Sequence, residues 1–273
     1  MPTSRREYTI EGLGVEERVW EELGEQETPS WYLHPLVGRQ KREVHTNLIR
    51  RWARGQTFRR VLKTDLFEEA FGEDQLLPGL FPDAAFVCGM DEAFSTARRA
   101  AQRHPVLARG FAAMDVRRPA YRPGSFDLIV STSTLDHFSA RADFVTAIGA
   151  LAALLAPGGL LILTLDNPWN PLFHPLRWFS RRGQAPFPIG YTPPIGQLRR
   201  DLEAEGLAIE AEDWLIHNPR GISTALFLML ARLLGARADR MIGGLLSAFS
   251  QLDRLPTRRL TACFQAVAAR KPL

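Results

Sequence analysis

AAFVCGMDEAF (84–94), SFDLIVSTSTLDHF (125–138) and LAPGGLLILTLDNP (155–168) decide the fold of this 273-residue chain. Each opens on an apolar, strand-like run and ends on a polar residue or a turn. EAFSTARRAAQRH (92–104) and ADFVTAIGALAALLAPGG (142–159) lie between them with helical spacing, the second stopped by Pro157-Gly158-Gly159. Strands alternating with helices build a parallel sheet, and such sheets bind ligands at the carboxyl ends of their strands. The acidic residues fall there: Asp91 closes the first run, and Asp115 sits in FAAMDV (111–116) between the first and the second.

Working outward, RRVLKTDLF (59–67) reads as the strand that begins the sheet, and VLARGFAAMDV (106–116) holds another. LAIEAEDWLIH (207–217) and TACFQAVAARKP (261–272) complete it. Ahead of the sheet, EERVWEELGEQE (16–27) suggests a short helix or an arm, and residues 29–55 have the apolar spacing of two helices. NPWNPLFHPLRWFSRRGQAPFPIGYTPP (167–194) carries seven prolines and two tryptophans, the texture of a structured lid or pocket wall. IGQLRRDLEAEG (195–206) is a helix with a glycine stop, and residues 222–253 form an apolar helical segment expected to break near Gly243-Gly244. The expected organisation is an N-terminal arm and helical cap over 1–55, then one α/β domain over 56–273 with insertions at about 167–194 and 222–253.

Composition bounds the function. The hydrophobic share of 45% and the charged share of 23% are those of an ordinary globular protein. A net charge of +4, with no basic run interleaved with aromatics, argues against nucleic acid as a partner. Cys88 and Cys263 both lie in apolar strand-like runs, so two buried free thiols in a cytoplasmic protein are expected. The start MPTSRREYTI lacks an apolar h-region, and no apolar run reaches the ~20 residues of a membrane span. The six histidines show no metal-ligand spacing.

Taken in order, the pieces from about 59 to 272 resemble a class I S-adenosylmethionine-dependent methyltransferase of the type acting on quinones and small molecules. VCGMDEAFSTARRA is similar to the family's second strand, AAMDV to the end of its third, GSFDLIVSTSTLDHF to its fourth, LAPGGLLILTLDNP to its helix–PGG–strand step, and LPTRRLTACFQAVAARKP to its last strand. The resemblance implies a Rossmann-like seven-stranded sheet with helices on both faces, and S-adenosylmethionine as cofactor. It implies that Asp91 faces the ribose hydroxyls, with Gly89 also in the cofactor site, that Met114 and Asp115 face the adenine, and that Ser131 lies beneath the sulfonium. Alternatives are open at each: Asp91 caps a helix starting at Glu92, Asp115 serves a turn, and the hydroxyls of 131–133 satisfy backbone groups.

The first strand departs from the family. No glycine occurs from Arg59 to Phe71, where the resemblance implies a glycine-rich loop, and Lys63 stands where the family has an acid. Thr64, Asp65 and Glu68 are then the candidates for the methionine half of the cofactor: extra carboxylates repel its carboxylate, and one can hold its ammonium. His137 is the candidate general base, with Asp136 beside it but not on a shared helix face. Tyr32, His34, Trp169 and His174 are candidates for the acceptor pocket.

Three functions follow. The first is methyl transfer to a small, hydrophobic or aromatic acceptor. The second is a non-methylating reaction on the same fold, with Lys63, Asp65, Glu68 and Glu69 as acid–base groups. The third is a non-catalytic partner protein. The apolar segment 222–253 packs on the sheet or forms a homodimer interface, and its arginines equally suit a lipid surface.

Overall fold

The computed structural model describes residues 15–26, 33–184 and 188–273. One seven-stranded sheet organises them: β1 (Arg60–Thr64), β2 (Phe86–Asp91), β3 (Phe111–Ala113), β4 (Phe126–Thr132), β5 (Leu155–Asp166), β6 (Ala208–Leu215) and β7 (Phe264–Arg270), in the order β3-β2-β1-β4-β5-β7-β6. β1 to β5 are parallel, and β7 runs antiparallel between β5 and β6. All seven expected strands form.

The parallel strands are apolar on both faces because helices cover both. Along β5, Leu161, Leu163 and Leu165 pack with Phe144, Ile148 and Leu151 of α5 (Arg141–Leu154) and with Leu198 and Leu202 of α7 (Ile195–Ala204). Leu160 and Ile162 point the other way, into a cluster with Leu48 and Ile49 of α2 (Pro35–Trp52). That cluster makes α2 a layer of the sheet as well as part of a cap. Its other end, at Val37, packs with Phe227, Ile242 and Leu246 of α8 (Ile222–Leu234) and α9 (Ala238–Ser250).

Three expectations are corrected. The apolar spacing over 29–55 gives a single helix within the described residues, because nothing breaks the run from Pro35 to Trp52. The segment 222–253 breaks at Gly235, which has φ +52°, and α9 runs on through Gly243-Gly244. Those two glycines cost a helix about 1 kcal/mol each, which the buried Ile242 and Leu246 offset. The helix before β5 ends at Leu154, ahead of Pro157.

α1 (Val15–Glu25) docks on the start of α4 (Phe94–Arg103). The Glu21 carboxylate accepts the Ser95 amide at 3.0 Å, and Ser95 Oγ donates to the Glu21 carbonyl at 3.1 Å. A carboxylate at a helix N-terminus is favoured by the unpaired amides and the dipole there. This contact brings Trp20 over the carboxyl end of the sheet. After β5, α6 (Phe173–Arg181) forms one side of the same end.

Candidate active site

The strand order reverses between β1 and β4, so a crevice opens beyond their carboxyl ends. Two cavities occupy it. The smaller, about 70 Å³, is bounded by Thr64 at the end of β1, Asp91 at the end of β2 with Glu92 beyond it, Met114 and Asp115 after β3, and Thr134 after β4. The larger, about 420 Å³, is mostly apolar, with Leu33, Val37, Leu176, Ile189, Leu228 and Phe264 in its walls. Trp20, Asp65, Phe67 and His137 line both.

Backbone strain concentrates at this crevice. Among the described residues, three non-glycine residues adopt positive φ: Asp65 (+80°), Ser133 (+52°) and Ile216 (+59°), and all three line the larger cavity. Aspartate tolerates the left-handed region, whereas a β-branched residue there is an outlier. Such conformations persist only where the surroundings impose them, and they gather at functional sites.

The loop after β1 is built from charge rather than glycine. Lys63 is fully buried in β1, opposite Gly89 of β2. Its ammonium donates to the Asp65 carbonyl (2.5 Å) and to Glu68 (2.8 Å), and lies 2.9 Å from Glu69 Oε2 as an ionic contact without hydrogen-bond geometry. Glu68 also accepts from Lys41 of α2 at 3.0 Å, and Lys41 pairs with the buried Asp74 at 2.9 Å. Glu69 accepts the Leu76 amide at 2.9 Å. Burial alone would lower the Lys63 pKa, but Glu68, Glu69 and Asp65 outweigh it and hold the ammonium charged, above the ordinary lysine value. Burial likewise pushes Glu68 up, and Lys63 and Lys41 reverse it, leaving that carboxylate ionised below the usual range. Glu68 and Glu69 begin the short helix α3 (Phe67–Phe71), so the turn itself consists of Asp65 and Leu66.

Asp91 sits across from this turn. One oxygen accepts the Leu66 amide at 2.8 Å and the other the Ala93 amide at 2.9 Å, so it ties the loop to the start of α4. Burial raises its pKa to about 6, against the pull of those two amides. Asp65 accepts the Phe67 amide at 2.7 Å, and burial, reinforced by Glu68, raises its pKa well above the ordinary value. Gly89 lies under the turn: a Cβ there would collide with the Leu66 side chain. Its place is in packing, on neither cavity wall.

After β4, the His137 ring meets Trp20 edge-on at 4.7 Å, and its Nδ1 is 2.8 Å from the Pro188 carbonyl. That contact requires a proton on Nδ1, which makes Nε2 the basic nitrogen of the neutral ring. Asp136 is buried beside it but turned away from both cavities, accepting Ser133 Oγ at 3.0 Å and the Asp166 amide at 2.6 Å. Asp166 is paired with Arg220, and burial still raises its pKa to about 6.

These elements match known proteins. Residues 67–163 fit the family model described as a methyltransferase domain. N-methyltransferase NodS from Bradyrhizobium japonicum WM9, solved with S-adenosyl-l-homocysteine, is 19% identical over 85% of this chain and 87% of its own, with a TM-score of 0.51. Phosphoethanolamine N-methyltransferase 2 from Haemonchus contortus, solved with S-adenosyl-L-methionine, is 17% identical over 98% of this chain and 59% of its own, with a TM-score of 0.52. The [4+2]-cyclase SpnF is 20% identical over 84% of this chain and 80% of its own, with a TM-score of 0.55. No curated protein matches the sequence significantly. Residues 67–163 thus match a methyltransferase domain, and the seven-stranded fold around them is that of these structures.

The sequence-derived site residues divide into three groups. Thr64, Asp65, Asp91, Met114, Asp115 and His137 converge on the smaller cavity, and Glu68 reaches the larger one. Asp115 is held by its neighbour Arg117, whose Nε contacts both carboxylate oxygens at 2.9 Å. Ser131, Gly89 and Asp136 are buried behind the walls, Ser131 accepting from Thr64 Oγ1 at 2.8 Å. His34 caps α2 by accepting the Leu36 amide, Trp169 and His174 are exposed, and none of these three lines a cavity. Tyr32 lies outside the described residues. Trp20, Lys41 and Arg220 are wall residues that sequence reading missed. Only Lys63, a lysine inside an apolar strand, signalled in advance that buried acids must surround it.

Proposed function

We propose that this protein binds S-adenosylmethionine across the carboxyl ends of β1 to β4 and methylates a small, hydrophobic or aromatic acceptor held in the larger cavity. The observation that carries this reading is the meeting of the two cavities at Trp20, Asp65, Phe67 and His137. One is ringed by carboxylates suited to an adenosyl group, and the other is apolar. The bound cofactor supplies an electrophilic methyl group on a sulfonium.

The residues fit the adenosyl half. Asp91 keeps lone pairs beyond the two amides it accepts, enough for a ribose diol, and Met114 and Asp115 flank the neighbouring space. In the methionine half, Asp65 holds the backbone turn that a glycine would hold, and its carboxyl is the group available to an ammonium. An arriving cation offsets the burial that raises the Asp65 pKa. His137 Nε2 takes the proton of a hydroxyl or acidic acceptor, while Trp20 and Phe67 close the junction against water.

A second reading, a non-methylating reaction on this fold, is favoured by one observation: Asp65 in the turn, with Glu68 and Glu69 at the start of α3 behind it, in place of a glycine-rich loop. Titration with S-adenosylhomocysteine separates the two. Saturable binding that Asp91→Ala weakens supports methyl transfer, and a wild-type protein that ignores the ligand at millimolar concentration refutes it.

A further inference from the structure

We propose that α6, α8 and α9 form a docking surface for an anionic lipid bilayer. α8, ISTALFLMLARLL, is apolar around its whole circumference and carries a single charge, Arg232. A helix of that kind is ordinarily buried on every side. Here one side faces the larger cavity through Thr224, Ala225 and Leu228, and a second packs Phe227 against α9. The third side is bare: Ile222, Met229 and Leu233, spaced along one stripe, keep 60%, 51% and 70% of their surface in solvent. On α6, Trp178 and Phe179 are also nearly half exposed, while Leu176 of the same helix reaches the cavity beside Leu228. Leu234 and Met241 extend the apolar surface through the turn into α9. Soluble monomers rarely leave so much contiguous apolar surface uncovered.

The charge around the stripe selects the occupant. Arg181 and Arg182 are exposed at the end of α6, and the exposed Arg232, Arg237 and Arg240 run from α8 into α9. The only acid in these stretches, among the described residues, is Asp239, which lies 3.6 Å from His34. Arg182 stacks over the Trp178 ring at 3.5 Å, an amphipathic pairing suited to the headgroup level of a membrane. An apolar stripe flanked by unopposed arginines and interfacial aromatics is the pattern of a helix lying in the plane of an anionic bilayer. A second copy of this chain would set arginine against arginine across the contact. No helix among the described residues is long and apolar enough to span the membrane, so the contact is peripheral. Because Leu228, in the cavity wall, is itself 37% exposed, a bilayer-dissolved acceptor would enter along α8; that last step rests on the function proposed above.

The test is vesicle flotation of the full chain without cofactor. The wild type should float with vesicles of equal parts phosphatidylcholine and phosphatidylglycerol, and stay behind with phosphatidylcholine alone. High salt should release it. Arg232→Gln/Arg237→Gln should weaken the partition coefficient about fivefold per arginine. Met229→Gln/Leu233→Gln should weaken it by roughly an order of magnitude or more. All variants should keep wild-type affinity for S-adenosylhomocysteine, measured separately, so loss of docking and failure of the cofactor site are distinguishable. The proposal is overturned if the wild type ignores anionic vesicles, if the four substitutions leave flotation unchanged, or if the stripe proves to be a dimer interface that Met229→Gln/Leu233→Gln dissolves while vesicles bind neither form.

Discussion

Replacing Lys63 with methionine should destabilise this protein far more than loss of an ordinary salt bridge. An exposed ion pair contributes about 0–1 kcal/mol. Lys63 is different because its side chain is fully buried and its ammonium spans Glu68, Glu69 and the Asp65 carbonyl. Methionine fills much of the same volume, so the cavity penalty is small, and the cost comes from the acids left behind. Glu68 keeps Lys41, but among the described residues Glu69 Oε2 has no other cation or donor. Removing one partner of a buried pair costs about 3–5 kcal/mol. At roughly 2–4 °C per kcal/mol for a chain of this size, thermal unfolding should shift down by about 6–20 °C. The assay is thermal denaturation of wild type, Lys63→Met and Lys63→Met/Glu68→Gln/Glu69→Gln. Neutralising the acids should recover most of the loss, since a neutral hydrogen-bonded set no longer strands a charge. A Lys63→Met protein melting within about 2 °C of wild type would refute the view that charge, in place of glycine, holds this turn.

Other outcomes follow from the same geometry. Asp65→Gly should retain the left-handed turn and change stability by no more than about 1 kcal/mol, while weakening S-adenosylhomocysteine binding roughly tenfold, by calorimetry. Asp91 titrates in the folded protein at about 6, above its unfolded value, so its burial costs stability as pH rises from about 4 to about 6 and no further beyond that. Cofactor affinity should move oppositely, rising through about pH 6 as the carboxylate forms, and titrations at about pH 5 and about pH 8 check the sign. His137→Gln should lower single-turnover methyl transfer to a hydroxyl acceptor by about 10²–10⁴-fold and leave cofactor affinity unchanged. Arg220→Gln leaves the buried Asp166 facing Asp136 without its cation, and should lower the unfolding midpoint in urea by an amount worth about 3 kcal/mol.

The strands were legible because burial on both faces writes itself as continuous apolar runs such as LLILTL. The residues at their carboxyl ends, Asp91 and Asp115, were legible because family order fixed their place. What escaped reading depends on tertiary contact. Trp20 lies in a polar, acidic stretch, and the docking of α1 on α4, through Glu21–Ser95 and Arg99–Gln26 contacts, carries it to His137. Lys41, Glu68 and Asp74 belong to three separate segments whose meeting no local pattern announces. The left-handed φ of Asp65 is a property of backbone, not of composition. The break at Gly235 rather than at Gly243-Gly244 depended on which turn of the helix had an apolar face to bury.

The central claim is that the Asp65-Leu66 turn, braced by Lys63 and two glutamates, still presents a cofactor site. Isothermal titration of the wild-type protein with S-adenosylhomocysteine tests it most directly. The account predicts saturable binding at one site per chain, weakened in Asp91→Ala by about 1.5–3 kcal/mol, the scale of a lost hydrogen bond to a charged group. No heat at millimolar ligand, from protein that melts cooperatively, would contradict it.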